Sequence, residues 1–74
     1  MSKQTFILEG EFIRLDDLLK LTGCVETGGQ AKVLIQSGGV TLDGEPCLMR
    51  GKKLRGGEHI AVTDTGEEIT VARS

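Results

Sequence analysis

Aromatic side chains are nearly absent: Phe6 and Phe12 are the only two, with no tyrosine and no tryptophan in 74 residues. A surface that stacks several unpaired bases on aromatic faces is therefore not expected. Long apolar runs are missing as well. The longest, such as Phe6-Ile7-Leu8 and Val33-Leu34-Ile35, span three residues, against the roughly 18 that a membrane span requires. The opening Met1-Ser2-Lys3-Gln4-Thr5 leads into no apolar stretch of signal-peptide length, which places the expected location in the cytoplasm.

Metal ligands and catalytic constellations are equally scarce. Two cysteines, Cys24 and Cys47, and one histidine, His59, make up the soft-ligand set. They form no Cys-x-x-Cys pair, so neither a zinc site nor any other cofactor is expected. In a cytoplasmic protein the two thiols are expected to stay reduced. No Gly-x-Ser-x-Gly and no phosphate-binding Gly-Lys-Ser/Thr ending occurs, and the acidic pairs Asp16-Asp17 and Glu67-Glu68 read as solvated faces. Nothing supports an enzyme.

What the chain does have is a segregated charge. Nine basic and eleven acidic residues give a net charge of −2, which argues against indiscriminate coating of nucleic acid. Residues 46–57 nevertheless carry Arg50, Lys52, Lys53 and Arg55 and no acid, so this stretch is +4 and the remainder is −6. A local positive patch on an acidic body follows. In Arg50-Gly51-Lys52-Lys53-Leu54-Arg55 the cations can present donors to phosphate oxygens, or they can guard a solvated strand edge. Leu54 is expected to turn inward and anchor the segment.

The periodicity divides the chain in two. Thr5 to Leu8 reads as a short strand closed by Gly10. Leu15, Leu18, Leu19 and Thr22 then fall on one helical face, with Asp16 and Asp17 in the first turn, Lys20 in the last, and Gly23 as the stop. A second helix opens with Thr27 as N-cap and Gln30 three residues on, the Thr-x-x-Gln form of a capping box. Ala31, Leu34 and Ile35 supply its apolar stripe, and Gly38-Gly39 ends it. From Val40 the period becomes two, with turn signals at Asp43-Gly44, Gly56-Gly57 and Asp64-Thr65-Gly66. The fold class is therefore α+β: a helical pair covered by one face of a small, mostly antiparallel sheet. One domain over residues 1–74 is expected, with Ala72-Arg73-Ser74 free to fray.

The start of the second helix is the other candidate site. Its free N–H groups and positive dipole end favour an anion. Gly28 and Gly29 either permit close approach of a phosphate or relieve crowding against the first helix or the sheet. Lys32, one turn after Gly28, is expected on the same face, with Gln36 a turn further. Arg14, just ahead of the first helix, is either a surface arginine or a further contact to the anion.

Three stretches taken in order are similar to the S4-type RNA-binding domain: Ile13-Arg14-Leu15-Asp16-Asp17-Leu18-Leu19, Gly28-Gly29-Gln30-Ala31-Lys32-Val33-Leu34-Ile35 and Gly39-Val40-Thr41-Leu42-Asp43-Gly44. The match covers about residues 12–62. The resemblance implies two helices followed by a small sheet, the αL motif, and binding of structured RNA, ribosomal RNA included. That family usually carries Ser-Arg at the start of the second helix, where this chain has Thr27-Gly28. Gly28-Gly29-Gln30-Ala31-Lys32 and the later Arg50-Gly51-Lys52-Lys53-Leu54 resemble a subgroup of small, stand-alone bacterial members instead. The absent arginine shifts the expected contacts to Lys32 and the basic segment.

The expectation is thus a monomeric, non-catalytic RNA-binding module. Arg14, Lys32, Arg50, Lys52, Lys53 and Arg55 would contact phosphates, and the amides of Thr27, Gly28 and Gly29 would fix one phosphate. Ribosomal or assembly-factor proteins are the accompanying partners. The alternative is a protein-interaction or assembly module that presents the same basic patch to an acidic partner.

Overall fold

A computed structural model describes residues 3–74; Met1 and Ser2, which belong to the expected domain and to the N-terminal stretch discussed above, lie outside the described residues. The order of elements is β1 (Lys3–Leu8), β2 (Ile13–Arg14), α1 (Leu15–Leu21), α2 (Gly28–Gln36), β3 (Val40–Leu42), β4 (Glu45–Pro46), β5 (Lys53–Leu54), β6 (His59–Val62) and β7 (Glu67–Arg73). Five strands form one sheet in the order β1-β7-β6-β3-β4, while β2 and β5 pair separately. Among the described residues only the β1–β7 pairing is parallel. The architecture is the expected α+β class, with a sheet that is mixed at one edge.

The two periods account for the core. Leu15, Leu18 and Leu19 from α1, with Ala31 and Ile35 from α2, are buried. They meet Leu8, Val40, Ile60, Val62, Ile69 and Val71, the inward residues of alternating strands, in a single cluster. Burying each such side chain is worth about 1.5–3 kcal/mol, so the cluster is what holds the helical pair on the sheet. The opposite sheet face carries Thr41, His59, Ala61, Glu68 and Thr70, which matches the alternation.

Turn chemistry closes the elements. Asp43 and Gly44 both have positive φ (51° and 89°), the arrangement of a two-residue hairpin turn that matches strand twist. The second helix opens as its sequence indicates, with one shift. Thr27 Oγ1 accepts the Gln30 N–H at 3.1 Å, whereas the returning Gln30 Oε1 accepts the N–H of Glu26, not that of Thr27, at 2.7 Å.

Two expectations are corrected. Ala72 and Arg73 do not fray, because they lie in β7 opposite Ile7 and Leu8, and the Ser74 N–H donates to the Leu8 carbonyl at 3.3 Å. The acidic pairs are not solvated faces. Asp16 is 9% exposed, Glu67 accepts the Cys24 thiol proton at 2.6 Å, and Glu68 lies 2.9 Å from His59 Nε2. Adjacent residues on a strand point to opposite faces, so Glu67 reaches the helical side and Glu68 the outer one.

Candidate nucleic-acid interface

The start of α1 and the basic segment are built from each other. Arg14 is the N-cap of α1 and supplies no side-chain cap, so the first N–H groups of the helix need other acceptors. They find them in the basic segment: Leu15 N–H donates to the Lys52 carbonyl at 2.9 Å and Asp16 N–H to the Arg50 carbonyl at 3.0 Å. The Lys52 N–H closes a turn onto Met49 O at 3.1 Å. Downstream, Lys53 and Leu54 pair with Arg14 and Ile13, and Leu54 is fully buried as the inward anchor. Carbonyls point at the helix and side chains are left for solvent.

Those side chains are predominantly cationic. Arg14, Arg50, Lys52, Lys53 and Arg55 are all exposed. Arg14 is ion-paired with Asp16 at 3.2 Å and lies over Gly51, where an added Cβ would stand 3.4 Å from the guanidinium. Lys53 Nζ sits 4.9 Å from the centroid of the Phe12 ring, a cation–π contact that orients it. Among the described residues the ion pairs of the lysines and arginines are Lys3–Glu68, Arg14–Asp16 and Lys20–Asp17. None of them neutralises Arg50, Lys52, Lys53 or Arg55.

The far end of the segment is tied to β7. Glu58 accepts the N–H groups of Arg55 and Gly56 at 2.7 and 2.8 Å. The Arg73 guanidinium donates to the carbonyls of Arg55 and Gly10 at 2.9 Å and of Glu11 at 3.4 Å. Gly56 is required here, since its φ is +115° and an added Cβ would stand 2.5 Å from Arg73 Cγ. Asp16 and Arg73 therefore shape the patch without standing out in the sequence. Both act through partners distant in the chain or through burial, which local spacing does not report.

The α2 start is the second candidate. Gly28 and Gly29 meet no crowding: an added Cβ finds nothing within 4 Å at Gly28, and only Thr27 Oγ1 at 3.8 Å at Gly29. Neither has positive φ, so neither packing nor backbone conformation demands glycine. The crowding explanation fails at both positions. Among the described residues neither N–H has an intramolecular acceptor. Lys32 and Gln36 are exposed on the same helix. Thr27, Gly29, Gln30, Val33, Leu34 and Ser37 line an open hollow of about 490 Å³ whose remaining wall is Asp64. That carboxylate opposes an anion deep in the hollow, and no hydrogen bond or ion pair among the described residues joins this locality to the basic segment.

Among the described residues no three metal-ligating side chains converge, and no helix is long and apolar enough to cross a membrane. The thiols of Cys24 and Cys47 are both free. Burial, followed by its hydrogen bond to Glu67, raises the Cys24 pKa above the ordinary thiol value.

No curated protein matches the chain. A family model described as S4 domain matches residues 6–72, spanning both helices and all but the outermost parts of the β1 and β7 strands. The chain belongs to the S4 domain family, whose domains are generally RNA-binding.

Proposed function

We propose that this domain binds structured RNA, with ribosomal RNA as the leading candidate, acting as a monomer in the cytoplasm alongside ribosomal or assembly-factor proteins. Arg14, Arg50, Lys52, Lys53 and Arg55 contact phosphates along one side of the α1 start. Thr27, Gly28, Gly29 and Lys32 hold a further phosphate at the α2 start, and the two helices form the αL motif. The observation that carries this reading is the pinning of the Arg50 and Lys52 carbonyls to the α1 amides. It fixes the backbone of the segment while leaving four cations without acidic partners. Such contacts position RNA and do not read sequence.

Two further facts support it. With two aromatics in the chain, recognition through shape and phosphate suits a folded or double-stranded RNA better than an extended single strand. The acidic remainder disfavours general binding and confines affinity to the patch.

The test is binding of a structured RNA over a range of salt concentration. Log affinity should fall linearly with log salt, with a slope of about −0.7 to −0.9 per phosphate neutralised. Lys52→Glu with Lys53→Glu should weaken binding and flatten the slope. Salt-independent binding, or no effect of that pair, refutes the proposal. A protein partner retained on the patch after nuclease treatment would favour the acidic-partner alternative.

A further inference from the structure

Six large apolar side chains are exposed among the described residues, Ile7, Phe12, Leu21, Val33, Leu48 and Met49, and Leu48 and Met49 are the pair that runs directly into the basic segment. They are 56% and 66% exposed and immediately precede Arg50. Their loop is not loose. Cys47 N–H donates to the Val40 carbonyl at 3.1 Å, Lys52 N–H to Met49 O at 3.1 Å, and the Arg50 and Lys52 carbonyls accept the α1 amides. Four backbone bonds hold two apolar side chains outward, at the rim of the cationic patch. A backbone already fixed in this way loses little further freedom on binding.

Beside them is a hollow of about 260 Å³ lined by Leu42, Glu45, Pro46, Cys47, Leu48, Met49 and Lys52. Its size is just under the roughly 300–1,000 Å³ of sites that enclose drug-sized molecules. The lining is apolar with one cation, Lys52, and one carboxylate, Glu45. That combination discriminates between occupants. A lipid headgroup or an acidic side chain, like a nucleotide, brings an anion for Lys52 but presents no flat ring face to Leu48 and Met49. A nucleotide brings a phosphate for Lys52, an apolar base face for Leu48 and Met49, and, in the amino-bearing bases, an N–H donor for Glu45.

We infer that Leu48, Met49 and Lys52 form a subsite for one unpaired base and its phosphate, adjoining the phosphate-binding patch. This rests on the RNA-binding reading above and adds to it an apolar contact, of Leu48 and Met49 with the base, whose strength does not depend on salt. The domain would then prefer a folded RNA with an unpaired nucleotide next to a helix over a fully paired one.

The experiment compares two RNA probes of equal length, a hairpin with an unpaired loop and a perfectly paired duplex, across a salt series. Leu48→Ser with Met49→Ser should weaken hairpin binding about tenfold at every salt concentration, with the slope unchanged. Duplex affinity should stay at the wild-type level. Leu48→Met with Met49→Leu should retain hairpin affinity. Lys52→Glu with Lys53→Glu should instead weaken binding of both probes and flatten both slopes. If the serine pair binds the hairpin as wild type does while the glutamate pair loses affinity, the base subsite is overturned and the phosphate patch stands. If wild type binds neither probe, or all variants bind both alike, the RNA reading falls and the subsite with it. Capture of wild type, but not of the serine pair, by vesicles of phosphatidylglycerol and phosphatidylcholine would overturn the subsite in favour of a lipid surface.

Discussion

The N–H of Asp16 donates to the carbonyl of Arg50 at 3.0 Å, joining the first turn of α1 to a loop more than thirty residues further along the chain. The Asp16 side chain completes the junction: one carboxylate oxygen accepts the Asp17 N–H at 2.8 Å and the other pairs with Arg14 at 3.2 Å. Because the carboxylate is 12% exposed, its loss leaves polar groups short of partners in a poorly hydrated place. Asp16→Ala should lower stability by about 1–3 kcal/mol, read as the shift of a urea unfolding midpoint. Asp16→Asn, which keeps the acceptor and drops the charge, should fall between that variant and wild type.

Arg73 makes a second junction, with three carbonyl acceptors drawn from the β1–β2 and β5–β6 connections. Arg73→Ala should cost about 1 kcal/mol after allowance for solvent exposure, lowering Tm by roughly 4–8 °C in a domain of this size. Arg73→Lys should recover only part, since an ammonium cannot reach three acceptors with the geometry of a guanidinium. Calorimetry of the two variants beside wild type gives the answer, and equal Tm values would show that the Arg73 junction adds no stability.

The Gly28 and Gly29 positions set stability and binding against each other. Nothing obstructs a methyl group at either, and alanine is better than glycine in a helix by up to about 1 kcal/mol. Gly28→Ala with Gly29→Ala should therefore raise Tm. If the bare amides hold a phosphate, the same pair should weaken RNA binding severalfold. Higher stability with unchanged affinity would show that no close approach occurs at the α2 start.

Cys24 gives a pH prediction. Its pKa is raised, by burial first and by the hydrogen bond to Glu67 second. The folded state thus holds the thiol proton more tightly than the unfolded chain does. This contributes stability that is fully present below the ordinary thiol pKa and is lost as pH rises through the raised one. At pH 8, alkylation of Cys24 by iodoacetamide should be slower than that of an unstructured cysteine peptide, because the thiolate is the nucleophile. Glu67→Gln should speed it by removing the carboxylate acceptor and its charge, and followed by mass spectrometry an unchanged rate would count against the Glu67 contribution.

The helices, the Thr27 cap and the hairpin turn are legible in the amino-acid sequence by itself, because each is specified by neighbours within one or two turns: Leu15, Leu18 and Leu19 on one face, Thr27 with the Gln30 N–H, Asp43 with Gly44. The inward role of Leu54 and the charge of Arg50 to Arg55 are equally plain there, as is the order of motifs that marks the S4 domain. Tertiary structure alone decides the parallel seating of β1 beside β7, the burial of Asp16 and the reach of Arg73. It also leaves Gly28 and Gly29 uncrowded and holds Leu48 and Met49 outward. The reason is physical: local patterns report which face a residue turns to, while strand partners and cross-chain acceptors depend on how closed loops bring distant backbone groups together, which no spacing in the sequence records.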